Sequence, residues 1–222
     1  MKATVVLIFL LVATWLYVIS LPPTEIKLFI DKFGFSTNNL LSGAWWVLIT
    51  SSLLHVSVTH LASNIFVLFF FGSAVEKEIG SLKMLGVFFT GAILGDLLSM
   101  LVYTPNSIAI GASGGIFALI GAGMLIRPID LSFYPFFVPI PLSLLGMGYC
   151  LYTVIGFFGG GDPHVSYVAH IGGLFVGLLY GFRKEGAEQG IRIIIAMFLI
   201  LILFPSIWYY YSKAFSALIS LI

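Results

Sequence analysis

Charge is scarce in this sequence. Asp, Glu, Lys and Arg make up 9% of its 222 residues, where soluble domains carry roughly 25%. That excludes an ordinary water-soluble domain. The net charge is +1, so there is no basic excess to suggest nucleic acid. The single cysteine, Cys150, excludes an internal disulfide and reads as a small buried side chain. There is no internal repeat, no low-complexity tract and no appended polar domain. There is no His-rich loop and no HExxH spacing, the signature of a helical metal site.

What is present is apolar. Hydrophobic residues reach 60% and the mean hydropathy is +1.12, which places the chain among polytopic, all-helical membrane proteins. About 20 residues cross the hydrocarbon core. Seven runs suit that length, near 3–21, 60–75, 84–103, 113–126, 141–158, 165–182 and 191–211. The fourth and fifth are short, so their ends are expected inside the protein. Ile19-Ser20-Leu21-Pro22 is a poor cleavage site, and the first run reads as a retained anchor.

Lys and Arg set the expected orientation. With the N-terminus inside, Lys2, Lys77, Lys83, Arg127, Arg183, Lys184 and Arg192 face the cytoplasm, while Lys27, Lys32 and Lys213 face out. That is seven against three, which accounts for all 10. The segment from Pro22 to Ser57 holds Trp45-Trp46 and then Val47-Leu48-Ile49. It is expected to lie in the interface, where tryptophan prefers to sit.

Polar residues then fall at one depth. The second, fourth and sixth runs all enter from the outer side. His60 and Asn64 open the second and Ser113 opens the fourth. His170 lies early in the sixth, roughly 8 Å down at 1.5 Å per residue. Polar side chains inside a membrane are expensive and are usually paired or functional. Ser113 sits in Gly111-Ala112-Ser113-Gly114. A helix start there supplies unpaired N–H groups, and the small residues equally suit helix packing. Gly173, Gly177 and Gly181 repeat every four residues, as do Gly114, Ala118 and Ala122, so the fourth and sixth runs are expected to pack closely. Close approach would let Ser113 act as a nucleophile with His170 as its general base. His60 and Asn64, one turn apart, and the Ser113 N–H would donate to a developing oxyanion. No acidic residue is placed to orient His170, which favours a dyad over a triad.

Three segments, Gly111-Ala112-Ser113-Gly114, Ala169-His170-Ile171-Gly172-Gly173 and His55 to Asn64, together resemble the signatures of rhomboid intramembrane serine proteases. Ala74-Val75-Glu76-Lys77 also resembles the family pattern. The resemblance covers roughly residues 40–182. It implies one rhomboid-like domain over 1–222, with a six-span core to about 183 and an extra helix near 191–211. It also implies a Ser113–His170 dyad, an oxyanion site of His60, Asn64 and Gly111, and cleavage of single-span membrane proteins near the outer face of the cell membrane. No metal or cofactor is implied, and no nucleic-acid partner. Two positions depart from the family: Trp45-Trp46 stands where Trp-Arg is common, and Phe117 stands where a tyrosine often packs on the histidine. The alternatives are an inactive rhomboid-like protein that binds transmembrane helices, and a transporter.

Other residues carry softer expectations. His55 reads as structural, bonded to loop backbone. His164, after Gly159-Gly160-Gly161-Asp162-Pro163, reads as a solvated residue of a loop that caps the site. Asp96 reads as protonated or hydrogen-bonded to a neighbouring helix. Glu76 and Glu78 read as ties near the inner surface. The fifth run begins at Pro139-Ile140-Pro141 and contains Gly146 and Gly148, which suggests a span that moves to admit substrate from the lipid.

Overall fold

The computed structural model describes residues 2–130, 141–162 and 165–219. His164 and the Pro139-Ile140 start of the fifth run lie outside these. Every one of the seven expected runs coincides with a helix. The first is α1 (Lys2–Ser20). The outer segment folds as α2 (Pro23–Phe33), α3 (Thr37–Leu41), α4 (Val47–Thr50) and a 3-10 turn (Ser51–Leu53). The second run is α5 (Val58–Val67) and α6 (Ser73–Ile79), joined through a π-helical segment (Leu68–Gly72). Then follow α7 (Ser81–Ser99), α8 (Ser113–Ile126), α9 (Leu142–Gly159), α10 (Tyr167–Glu185) and α11 (Ala187–Ile219). Among the described residues the only β pairing is an isolated bridge between Phe35 and Ala109.

Among the described residues, four stretches are long and apolar enough to cross a membrane: Lys2–Ser20, Val58–Ile79, Ser81–Ser99 and Leu142–Gly159. The third run ends earlier than its hydropathy suggests, because Met100, Leu101 and Val102 turn back on Leu97, Leu98 and Ser99 carbonyls.

α8 organises the rest. At 14 residues it is about 21 Å long, too short for a hydrocarbon core of about 30 Å. Every residue from Gly114 to Ile126 is buried. α7 and α10 pack directly on it, α9 and the α5–α6 helix flank it, and α1 closes the bundle against the π-helical segment. The expected small-residue contact is present. A Cβ on Gly173 would overlap the Gly114 carbonyl oxygen, and one on Gly177 would overlap that of Ala118. The contact is three-sided. A Cβ on Gly95 of α7 would lie 2.6 Å from the Ala169 oxygen, and one on Gly172 would lie 2.9 Å from the Gly95 Cα. Backbones this close leave room for hydrogen only.

Polar ties fasten the end of the bundle opposite Ser113. Glu76 is buried and caps α1. Its Oε1 accepts from the Ala3 N–H at 2.9 Å, and its Oε2 accepts from the Thr4 N–H at 2.9 Å and the Thr4 hydroxyl at 2.6 Å. Ser81 donates to the same carboxylate at 2.7 Å. A carboxylate at a helix N-terminus satisfies orphan donors and complements the dipole. Glu78 pairs with Lys184 at 2.7 Å and Arg127 at 3.5 Å. Both glutamates therefore act as the expected ties. The outer segment builds its own small core from Phe35, Leu40 and Val47. Trp45 is exposed, and the Trp46 indole N–H donates to the Lys32 carbonyl at 3.1 Å.

The crossing yields a direct test. Gly177→Ala should destabilise the protein by about 1–3 kcal/mol through overpacking, read from unfolding in mixed micelles. Gly86→Ala, where a new methyl meets nothing within 4 Å, should leave stability unchanged or slightly raised.

Candidate active site

Ser113, His170, His60, Asn64 and Gly111 all line one cavity of about 950 Å³. Ser113 is the first residue of α8, and Ala112 before it offers no side-chain cap. The first intrahelical bond runs from the Ile116 N–H to the Ala112 carbonyl. The N–H groups of Ser113, Gly114 and Gly115 thus carry the unpaired positive end of the helix. His170 sits in the first turn of α10, whose N-cap Ser166 accepts from the Ala169 N–H at 3.4 Å.

The His170 ring is held by stacking. Phe117, one turn after Ser113, lies over it at 4.2 Å between centroids with 13° between planes. The phenylalanine that departs from the family pattern therefore still packs on the histidine. Tyr167 meets the same ring edge-on at 6.2 Å. His170 Nδ1 is buried without a hydrogen-bond partner among the described residues, and none of their hydrogen bonds joins His170 to Ser113. Catalytic bonds are often long in unliganded enzymes and tighten with substrate.

The opposite wall is built on His55. Its imidazole is 1% exposed. The Asn64 amide lies 3.1 Å from Nε2, and the Ala112 N–H donates to Nε2 at 3.5 Å. Two donors at one nitrogen make Nε2 the acceptor and put the proton on Nδ1. His55 is thus structural, as expected, and the backbone it holds is Ala112 beside Ser113. The other Asn64 amide hydrogen goes to the His60 carbonyl at 2.9 Å, so both its donors are engaged. The rings of His55 and His60 meet edge-on at 4.8 Å.

Gly111 has φ +125°, a conformation that strongly favours glycine. A Cβ there would lie 2.7 Å from His60 Cε1. Its N–H donates to the Ser51 carbonyl at 2.9 Å, and Ser51 Oγ donates to Asp96 Oδ2 at 2.8 Å. The partner of Asp96 is thus a residue of the outer segment. Only the folded chain reveals this relay, since residues 51, 96 and 111 share no sequence pattern. Position 111 was readable from its Gly-x-Ser-Gly setting.

The fold defines a multi-pass helical membrane protein with a cavity set into its bundle and several polar side chains in the cavity wall. A family model described as the Rhomboid domain matches residues 42–185. The chain is 33% identical over 183 residues to rhomboid protease GluP of Bacillus subtilis, covering 80% of this chain and 34% of that protein. It is 30% identical over 173 residues to YdcA of the same organism, also named for the rhomboid family, covering 76% and 81%. It is 28% identical over 163 residues to RHOMBOID-like protein 12, mitochondrial, of Arabidopsis thaliana, covering 66% and 48%. The chain therefore spans about a third of GluP and half of the Arabidopsis relative. It belongs to the rhomboid family.

His55 makes stability depend on acid. Burial, with a smaller contribution from the neighbouring His60, pushes its pKa down to about 3. The unfolded chain protonates near the ordinary 6.5, before the folded one does. Stability held above that pH is lost as pH falls from 6.5 toward 3. By pH 5 the loss from this one group should reach about 2 kcal/mol. Unfolding midpoints at pH 7.5 and 5 should show a smaller drop for His55→Gln than for the wild type.

Proposed function

We propose that this chain is an intramembrane serine endopeptidase working through a Ser113–His170 dyad. The observation that carries the reading is the shared cavity. A serine at an uncapped helix start faces the same space as a histidine held by ring stacking. His170 takes the proton of Ser113 Oγ as that oxygen attacks the scissile carbonyl, then returns it to the leaving amine. The carbonyl oxygen becomes an oxyanion, and the N–H groups at the start of α8, with His60, are the donors nearest at hand. Asn64 joins them by exchanging its bond to the His60 carbonyl, while its other hydrogen keeps His55 in place. Gly111 supports this wall by letting the backbone pass beneath the His60 ring. With no partner on Nδ1 among the described residues, His170 is oriented by Phe117 and Tyr167 rather than by a carboxylate.

The substrates proposed are single-span membrane proteins cut near the outer face of the cell membrane, with the N-terminus of the enzyme in the cytoplasm. No cofactor enters this chemistry. The rhomboid-like domain is read as residues 1–222, with its core ending near 183. α9 is the proposed moving element. Only Leu142, Ser143, Gly146, Met147 and Thr153 along it are buried, so few contacts oppose its displacement.

Two measurements test these readings. A fluorophosphonate probe should label the wild type, and Ser113→Ala should abolish labelling and cleavage. His170→Ala should fold and lose at least 10²-fold in rate, whereas cleavage by Ser113→Ala would sink the mechanism. A crosslink between α5 and α9 should block cleavage of a membrane-embedded substrate, and unchanged turnover would leave α9 without a gating role.

A further inference from the structure

The cavity around Ser113 is lined by two carboxyl groups, Asp96 and Asp162, and by no Lys or Arg among the described residues. Asp96 is the deeper feature. It lies on α7, is 8% exposed, and spends one oxygen on the Ser51 hydroxyl. Its other oxygen has no hydrogen-bond donor among the described residues. Hydroxyls of Ser51, Ser52, Ser99 and Ser166 line the same cavity, and Ser99 and Ser166 lie 3.2 Å apart across the α7–α10 contact.

Asp96 is also close to the proposed chemistry through backbone contacts. Ala92, one turn earlier on α7, has its Cα 3.4 Å from where a Gly114 Cβ would sit, and Gly95 packs on the Ala169 carbonyl. Residues 114 and 169 are the chain neighbours of Ser113 and His170. Asp96 and Ser113 line the same cavity, so a side chain beside a peptide bond presented to Ser113 shares that space with the carboxyl.

We infer that Asp96 is a specificity-determining residue: it selects substrate segments carrying a hydrogen-bond-donating or cationic side chain beside the scissile bond, and it disfavours acidic ones. The inference rests on the protease reading above and adds the substrate class. The physical reason is asymmetric. A donor entering the cavity gives the open oxygen of Asp96 its missing partner. An apolar side chain leaves that acceptor without a donor, and an incoming carboxylate puts a second acid in a weakly screened space, where ionising both is costly.

The test is a reporter series in proteoliposomes. One transmembrane substrate carries Ala, Ser, Lys or Asp in turn at each position from four before the scissile bond to two after it, and kcat/KM is measured for each. At one of these positions the wild type should favour Ser or Lys over Asp by at least tenfold, and Asp96→Asn should reduce that ratio to within about threefold. An unchanged ratio in Asp96→Asn overturns the inference, as does equal tolerance of Asp by the wild type at every position, which stands even if Asp96→Asn fails to fold. A second readout needs no turnover. Ser113→Ala should bind the Lys or Ser peptide more tightly than the Asp peptide by fluorescence transfer, and equal affinities count against the inference. Selective binding by a wild type that neither cleaves nor takes the fluorophosphonate label keeps the role of Asp96 and removes the protease.

Discussion

The bundle depends on one contact: the backbone-to-backbone crossing of α8 and α10 at Gly173 and Gly177. α8 is too short to reach both faces of a bilayer and gains nothing from being exposed to lipid. It persists because neighbours cover every turn of it. In a membrane there is little hydrophobic gain when helices meet, so association rests on close packing. The glycines supply that closeness, and they set the distance between the elements that carry Ser113 and His170.

A cavity with polar side chains in its wall follows from the same shortness. Where α8 starts, well inside the fold, the chain before it must descend to reach it, and that descent carries Ile110, Gly111 and Ala112. A segment without helical hydrogen bonds needs other partners at membrane depth. It finds them in the Ser51 carbonyl, in His55 and in the isolated bridge of Phe35 with Ala109. The polar residues around Ser113 thus serve the backbone as well as any chemistry.

Much of this was legible in the sequence, and what was not has a physical cause. The seven helices follow from hydropathy, and the glycine ridge from four-residue spacing. Counting residues puts His60, Asn64, Ser113 and His170 at one expected depth, and the four line one cavity. The pairing of Asp96 with Ser51 was not legible, because it joins a span to a loop through tertiary contact. The engagement of both Asn64 amide hydrogens also escaped, since His55 lies nine residues away across a turn whose path sequence does not specify. The π-helical segment at Leu68–Gly72 leaves no signal in hydropathy, because an extra residue in one turn changes register and not composition.

The cap on α1 has a consequence for how the protein is made. Residues 3 and 4 complete their hydrogen bonds only with a side chain that emerges from the ribosome some seventy positions later. Until α6 is in place, the first helix carries bare N–H groups at its end, a state tolerable in the headgroup region but not in hydrocarbon. The order of synthesis is therefore not the order of completion. The first turn of α1 and the Glu76 turn of α6 are thus one structural unit, finished only when both are in place.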